Sequence, residues 1–206
     1  MKLNTKLLLL SFILLTQFAH AQDASKWEFE KKCYVGTQAF MILTPILDPS
    51  PEYYQINLGY RFSPKDELMF EAITWRYSGP QGRPIGGPDY ENAASDYPGD
   101  VKSLGAGLAY KRLLWRGLYT QVHSTAFRQT YRDEKKETLQ KGFMLFNTLR
   151  LGYHFKILNN KFFLAPSIGA TSWPINTNLP TSFQAEEDKW NSFFLGELGF
   201  HIGFNF

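Results

Sequence analysis

The chain has 206 residues, a single cysteine, 17% aromatic residues and a formal net charge of +3. One cysteine excludes a disulfide framework, and the near balance of charge excludes the basic stripe that nucleic-acid binding needs. No segment after Ala21 holds the roughly 18 consecutive apolar residues of a transmembrane helix.

The first segment is "MKLNTKLLLLSFILLTQFAHAQDA". Lys2 and Lys6 form a basic start, Leu7 to Leu15 an apolar run, and Ala19-His20-Ala21 a small-x-small site. That order is a secretory signal peptide cleaved after Ala21, over residues 1–21. The apolar run is too short for the roughly 20 residues of a spanning helix. Cleavage removes two lysines and no acid, so the net charge falls from +3 to +1. Cys33 lies too far beyond the cleavage site to carry a lipid, and reads as a small apolar residue beside the first strand.

Eight segments then alternate apolar and polar residues with period two, at about 34–43, 53–62, 68–77, 101–112, 118–131, 142–155, 162–173 and 193–206. In "YYQINLGYRF", Tyr54, Ile56, Leu58, Tyr60 and Phe62 share one face; Gln55, Asn57, Gly59 and Arg61 share the other. "GFMLFNTLRLGYHF" repeats the scheme, with Thr148, Arg150, Gly152 and His154 on the polar face. The connections "SPKDE", "LLWRG" and "KILNNK" are short. Those around 78–100, 132–141 and 174–192 are long and polar, and they alternate with the short ones. Short turns at one end and long loops at the other are the pattern of an up-and-down barrel in an outer membrane.

Alternation alone also fits a secreted barrel with apolar residues inside. Three features favour the inverted, membrane form. The polar face carries Gly36, Gly59, Gly105, Gly107, Gly152, Gly169, Gly199 and Gly203, and small residues help fill a narrow interior. Simple hairpins then set large against small: Arg150 opposite Ser167, Thr148 opposite Gly169, Gly152 opposite Ala165 and His123 opposite Gly107. Aromatics gather in two groups. Tyr60, Phe62, Tyr110, Trp115, Tyr153, Phe155, Phe204 and Phe206 lie toward one rim, and Trp75, Tyr77, Tyr131, Trp173, Trp190 and Phe194 toward the other. Two outward girdles are expected of this class.

The signal peptide, the eight strands and the terminal "GFHIGFNF" resemble the small outer-membrane β-barrel proteins of Gram-negative bacteria, the OmpA/OmpX/OmpW-like group. The stretch "LRLGYHF…NNKFF…PSI…WPINTN" is similar to Bacteroidetes-type barrels of unassigned function. The resemblance implies that the last strand is the signal read by the barrel-assembly machinery, carried here by Phe200, Ile202, Phe204 and Phe206. The peptidoglycan-binding domain of full-length OmpA has no counterpart, so no wall-tethering role is implied.

The expected architecture is all-β: an eight-stranded antiparallel up-and-down transmembrane β-barrel over residues 34–206, a periplasmic segment over 22–33, and the signal peptide over 1–21. The expected interior holds Arg61, Glu71, Lys111, His123, Arg150, His154, Glu197 and His201, which must pair because unpaired charges are costly there. Arg61 and Glu71 are diagonal neighbours if Phe62 pairs with Leu68, and Arg150 reaches Glu197. The role read from this is structural or in surface interaction, as a monomer in outer-membrane lipid. Loops 78–100 and 174–192 are the places for an extracellular ligand. A narrow solute conduit and a lipid A-modifying enzyme are the alternatives. For the enzyme, "QVHSTAF" offers His123 with Thr125 on one face, but no third group to orient the imidazole. No catalytic residue, cofactor or metal is expected.

Overall fold

The computed structural model describes residues 29–43, 52–84, 87–89 and 92–206. The expected signal peptide and residues 22–28 lie outside the described residues. Among the described residues nine antiparallel strands follow in chain order: β1 (Cys33–Gln38), β2 (Tyr54–Arg61), β3 (Asp66–Tyr77), β4 (Asp100–Trp115), β5 (Leu118–Arg132), β6 (Thr138–Tyr153), β7 (Phe155–Ile157), β8 (Phe162–Thr177) and β9 (Phe193–Asn205). A single turn of helix, α1 (Phe40–Leu43), follows β1, and α2 (Thr181–Glu187) lies between β8 and β9. Sequence neighbours pair from β1 to β6, β6 pairs with β8, β8 with β9, and β9 returns to β1. Eight strands thus close into a ring, and β7 extends β6 past His154 to pair with β8. Closure removes the unpaired strand edges that an open sheet would expose.

The alternation in the sequence becomes the two faces of this ring. Along β4, Ser103, Gly105, Gly107, Ala109 and Lys111 are buried, while Leu104, Ala106, Leu108 and Tyr110 are exposed. Successive side chains of a strand point to opposite faces, so the enclosed face receives the charged and small residues and the outer face the apolar ones. On β9, Phe200, Phe204 and Phe206 are exposed, Ile202 is half-buried, and His201 and Asn205 are buried. Phe206 still belongs to the ladder, since its N–H donates to the Cys33 carbonyl at 2.9 Å.

Three tight connections gather at one end, the turn end. Ser63 holds the β2–β3 turn, its hydroxyl accepting from the N–H groups of Lys65 and Asp66. Arg116 and Gly117 both have positive φ, 46° and 86°. A two-residue turn of that kind matches the twist of a hairpin, and it joins β4 to β5. Leu158, Asn159 and Asn160 also take positive φ, which asparagine tolerates better than most residues. The Asn160 carbonyl accepts from Asn205 Nδ2 at 2.8 Å, tying that turn to the last strand.

These turns change the expected registers by two residues. Arg112 pairs with Thr120 rather than Leu118, because β4 runs on to Trp115. His123 therefore faces Ala109, not Gly107. Phe162 pairs with Ile157, so Arg150 faces Gly169, Thr148 faces Thr171, and Gly152 faces Ser167. Leu68 pairs with Tyr60, and Arg61 lies directly opposite Glu67. A shift of two keeps every side chain on its face but changes its partner.

Other boundaries also move. β1 ends at Gln38 and the chain turns into α1, where a strand to 43 was expected. The strand expected over 142–155 breaks at His154, whose N–H donates to the Gly117 carbonyl at 2.8 Å. The connection expected over 132–141 shrinks to Asp133–Glu137, because β5 and β6 pair as far as Arg132 and Thr138. Of the second aromatic group, Trp75, Tyr77, Tyr131 and Trp173 do not form an outer girdle. They share the inner face with Glu71, Gln129 and Thr171, two, four or six residues away, and Tyr131 and Trp173 are fully buried.

Candidate functional site in the enclosed interior

The enclosed face is organised in layers. Nearest the turn end is a charged layer centred on Glu67, which is 0% exposed. Its carboxylate accepts from Arg61 Nε and Lys111 Nζ, each at 3.0 Å, and from the Tyr34 hydroxyl at 2.7 Å. Two cations share one carboxylate, and aromatic rings supply further compensation. The Arg61 guanidinium lies 4.4 Å from the Phe29 ring centroid and 4.9 Å from that of Tyr34; Lys111 Nζ lies 5.1 Å from that of Tyr119. A desolvated cation over a ring gains about 2 kcal/mol. Gly59 makes room for Tyr34, since a Cβ there would fall 1.7 Å from the ring. His154 is buried, stacked on Phe163 and met edge-on by Phe29. Phe29, just before β1, thus packs inside the turn end of the ring.

The next layer holds two carboxylates. Glu71 accepts from Gln55 Nε2 at 2.6 Å and Thr125 Oγ1 at 2.8 Å, with His123 Nε2 at 3.3 Å. Glu197 pairs with Arg150 and accepts from the Thr171 hydroxyl. His201 is buried on the same inner face. Comparison with protein-family models, curated proteins and solved structures finds no match.

All eight residues expected inside lie on the inner face, seven of them buried and Glu197 half-buried. The structure brings Arg150 to Glu197, and His123 to Glu71 and Thr125. It does not bring Arg61 to Glu71; Arg61 is taken by Glu67. Glu67 was missed because the strand was expected to start at Leu68. Stepping back by twos from Glu71 through Met69 would have placed it inside.

Glu71 supplies the third group that the sequence left without a candidate beside His123 and Thr125. The arrangement is not a relay. Thr125 Oγ1 and Glu71 Oε1 both meet the same imidazole nitrogen, Nε2, at 3.2 and 3.3 Å. A triad needs the hydroxyl and the carboxylate on opposite nitrogens. Here the Thr125 hydroxyl donates straight to the carboxylate, which holds it as a structural partner.

Beyond this layer the interior opens into a cavity of about 890 Å³, with Phe127, Phe146 and Trp173 among its walls. At the loop end α2 closes over the ring. Phe183 is 0% exposed, stacked on Tyr97 with centroids 4.8 Å apart and met edge-on by Tyr131. Glu187 accepts from Trp173 Nε1 at 3.0 Å and from the Tyr97 hydroxyl. Burial and the neighbouring Glu187 carboxylate push the Tyr97 hydroxyl well above the usual tyrosine range, so it remains a donor. Both long loops are thereby tied to the ring, 78–100 through Tyr97 and 174–192 through Phe183 and Glu187.

Proposed function

We propose that this chain is an outer-membrane β-barrel of the small OmpA/OmpX/OmpW-like kind, exported by its signal peptide. Its role is structural or in surface interaction, and its turn end faces the periplasm. The observation that carries this reading is the outer face of β3 and β4. Asp66 pairs with Arg112 near one end and Arg76 with Lys102 near the other, ten residues apart on each strand. Between these charged rungs the outward residues are Leu68, Phe70, Ala72 and Thr74 on β3, and Leu104, Ala106, Leu108 and Tyr110 on β4. Ten residues at ~3.4 Å each, tilted by ~40°, span ~26 Å, against ~25 Å for the apolar band of such barrels. Exposed apolar side chains continue on β2, β6, β8 and β9. A continuous apolar face of that kind needs a partner, and lipid covers all sides of a ring.

The inverse placement of charge supports the same reading. The Glu67 layer fills the turn end, which opposes a through-channel. Outward Phe200, Ile202, Phe204 and Phe206 suit recognition of the last strand by the assembly machinery. The tied loops form a preformed surface on which a ligand can be held. Fractionation of expressing cells tests the reading. The mature chain is expected in the outer membrane, migrating faster on a gel before heating than after. A soluble periplasmic product with no heat-dependent shift would overturn it.

A further inference from the structure

The rung of charge at the loop end is not symmetrical around the ring. On the outer face Lys102 of β4 stands opposite Thr130 of β5, and Thr130 opposite Lys141 of β6. One step nearer the middle, Arg128 stands between Leu104 and Phe143. Lys102 and Lys141 are thus the diagonal neighbours of Arg128, about 7–8 Å away along the sheet. All three cationic residues are exposed, and Thr130, with its hydroxyl, lies between the two lysines. At this level β8 and β9 turn out Ser172, Ile175, Thr177, Phe193 and Leu195, without a cation among the described residues.

Among the described residues, none of these three cations forms an ion pair or a side-chain hydrogen bond. Asp100 shares their side of β4 but is 1% exposed, taken by Arg132 Nε and Lys136 Nζ at 2.7 Å each. Glu52 is taken by Arg76 at 3.0 Å. Asp133, Glu134 and Glu137 lie in the turn beyond the last rung of β5 and β6. The turn-end rung differs, because there Arg112 finds Asp66 at 2.7 Å within the chain. Like charges held near one another repel, so the loop-end cluster favours an anion from outside.

The surroundings select the kind of anion. Leu104 and Phe143, both exposed, flank Arg128, and Ala126 follows toward the middle of the band. Negative charge and hydrocarbon must therefore meet within one step along the strand, as they do in an amphiphile. An acidic protein surface would have to bring apolar side chains into the band as well. Lysine and arginine stems lie readily along apolar surface while their charged heads stay at its border. A phosphate monoester carries nearly two negative charges near neutral pH and three accepting oxygens. That suits three cations and a hydroxyl better than a singly charged diester does.

We propose that the outer face of β4, β5 and β6 at the loop end binds the phosphate monoester head of a lipid, held by Lys102, Arg128 and Lys141 with its acyl chains over Leu104, Ala126 and Phe143. The site rests on the membrane reading and deepens it. Ala126→Trp, in a background with Trp115→Phe, places a reporter on the outer face two residues from Arg128. The full mature chain is refolded into phosphatidylcholine vesicles that contain a minor fraction of one lipid brominated along its acyl chains. The three probes are phosphatidic acid, a monoester; phosphatidylglycerol, a diester; and phosphatidylcholine, with no net charge. Half-maximal quenching by phosphatidic acid is expected at a mole fraction about tenfold lower than by phosphatidylcholine, with phosphatidylglycerol between them. Arg128→Gln narrows the preference about threefold, and Lys102→Gln, Arg128→Gln and Lys141→Gln together abolish it. Lys161→Gln, which removes an exposed charge at the turn end, leaves it unchanged. Equal quenching by all three heads, or a preference retained in the triple variant, overturns the lipid site while the membrane reading stands. A preference that inorganic phosphate removes at matched ionic strength assigns the patch to a soluble anion and overturns the lipid site too. No quenching by any brominated lipid overturns the membrane reading, and the site with it.

Discussion

Glu67, fully buried, joins two cations and a phenol. Removing its charge leaves Arg61 and Lys111 side by side with no acid. Breaking a buried pair at one partner costs about 3–5 kcal/mol. Glu67→Gln is therefore expected to lower the midpoint of urea unfolding of the refolded chain well below that of the parent. Arg150→Ala and Glu197→Ala act in the same direction one layer up, and an unchanged midpoint in all three would contradict the view that these networks seal the ring. At this scale much was legible in the sequence. Period two placed Arg61, Glu71, Lys111, His123, Arg150, His154, Glu197 and His201 on one face without any knowledge of contacts. What it did not disclose was who meets whom. That depends on turn geometry at Arg116-Gly117 and Leu158–Lys161, where two residues of register decide whether Arg150 faces Ser167 or Gly169.

Among the elements, the short β1 and the small α2 depart most from a regular ring. Both were hard to read. "FMIL" continues the apolar run of β1, and nothing in its pattern marks the turn after Gln38. The segment of α2 looks like polar loop because only one apolar side chain of it, Phe183, docks. That one contact is central: Phe183 fills the space between Tyr97 and Tyr131. A buried Phe→Ala change costs about 3–5 kcal/mol, more than a seven-residue helix can supply by itself. Phe183→Ala is expected to free residues 178–192 to limited proteolysis at least about tenfold faster, while unfolding of the ring itself stays near the parent value. Equal cleavage rates would show that α2 is held by something other than this side chain. The same docking explains the correction to the loop-end aromatics. Trp75, Tyr77, Tyr131 and Trp173 line the inside because the ring there needs apolar surface for α2 to cover, not a girdle for lipid.

The whole molecule inverts the usual arrangement of a water-soluble protein. Paired charges lie within the ring, and exposed leucines and phenylalanines cover the outside between rungs of charge. The strand pattern, the inversion and the closing of the ring by the last strand could all be argued from residue alternation, because both faces of every strand are written in the sequence. The cavity could not, since its walls come from strands far apart in the chain that meet only once the ring is closed. The central claim is that the outer face meets lipid, and Leu108 is an exposed residue between the rungs at Lys102 and Arg112. The direct measurement is fluorescence of Leu108→Trp in a background with Trp115→Phe, refolded into vesicles with phospholipids brominated along the acyl chain. The account predicts strong additional quenching by deep bromines and little by aqueous acrylamide. Quenching of this residue by acrylamide, with none from the brominated chains, would contradict it.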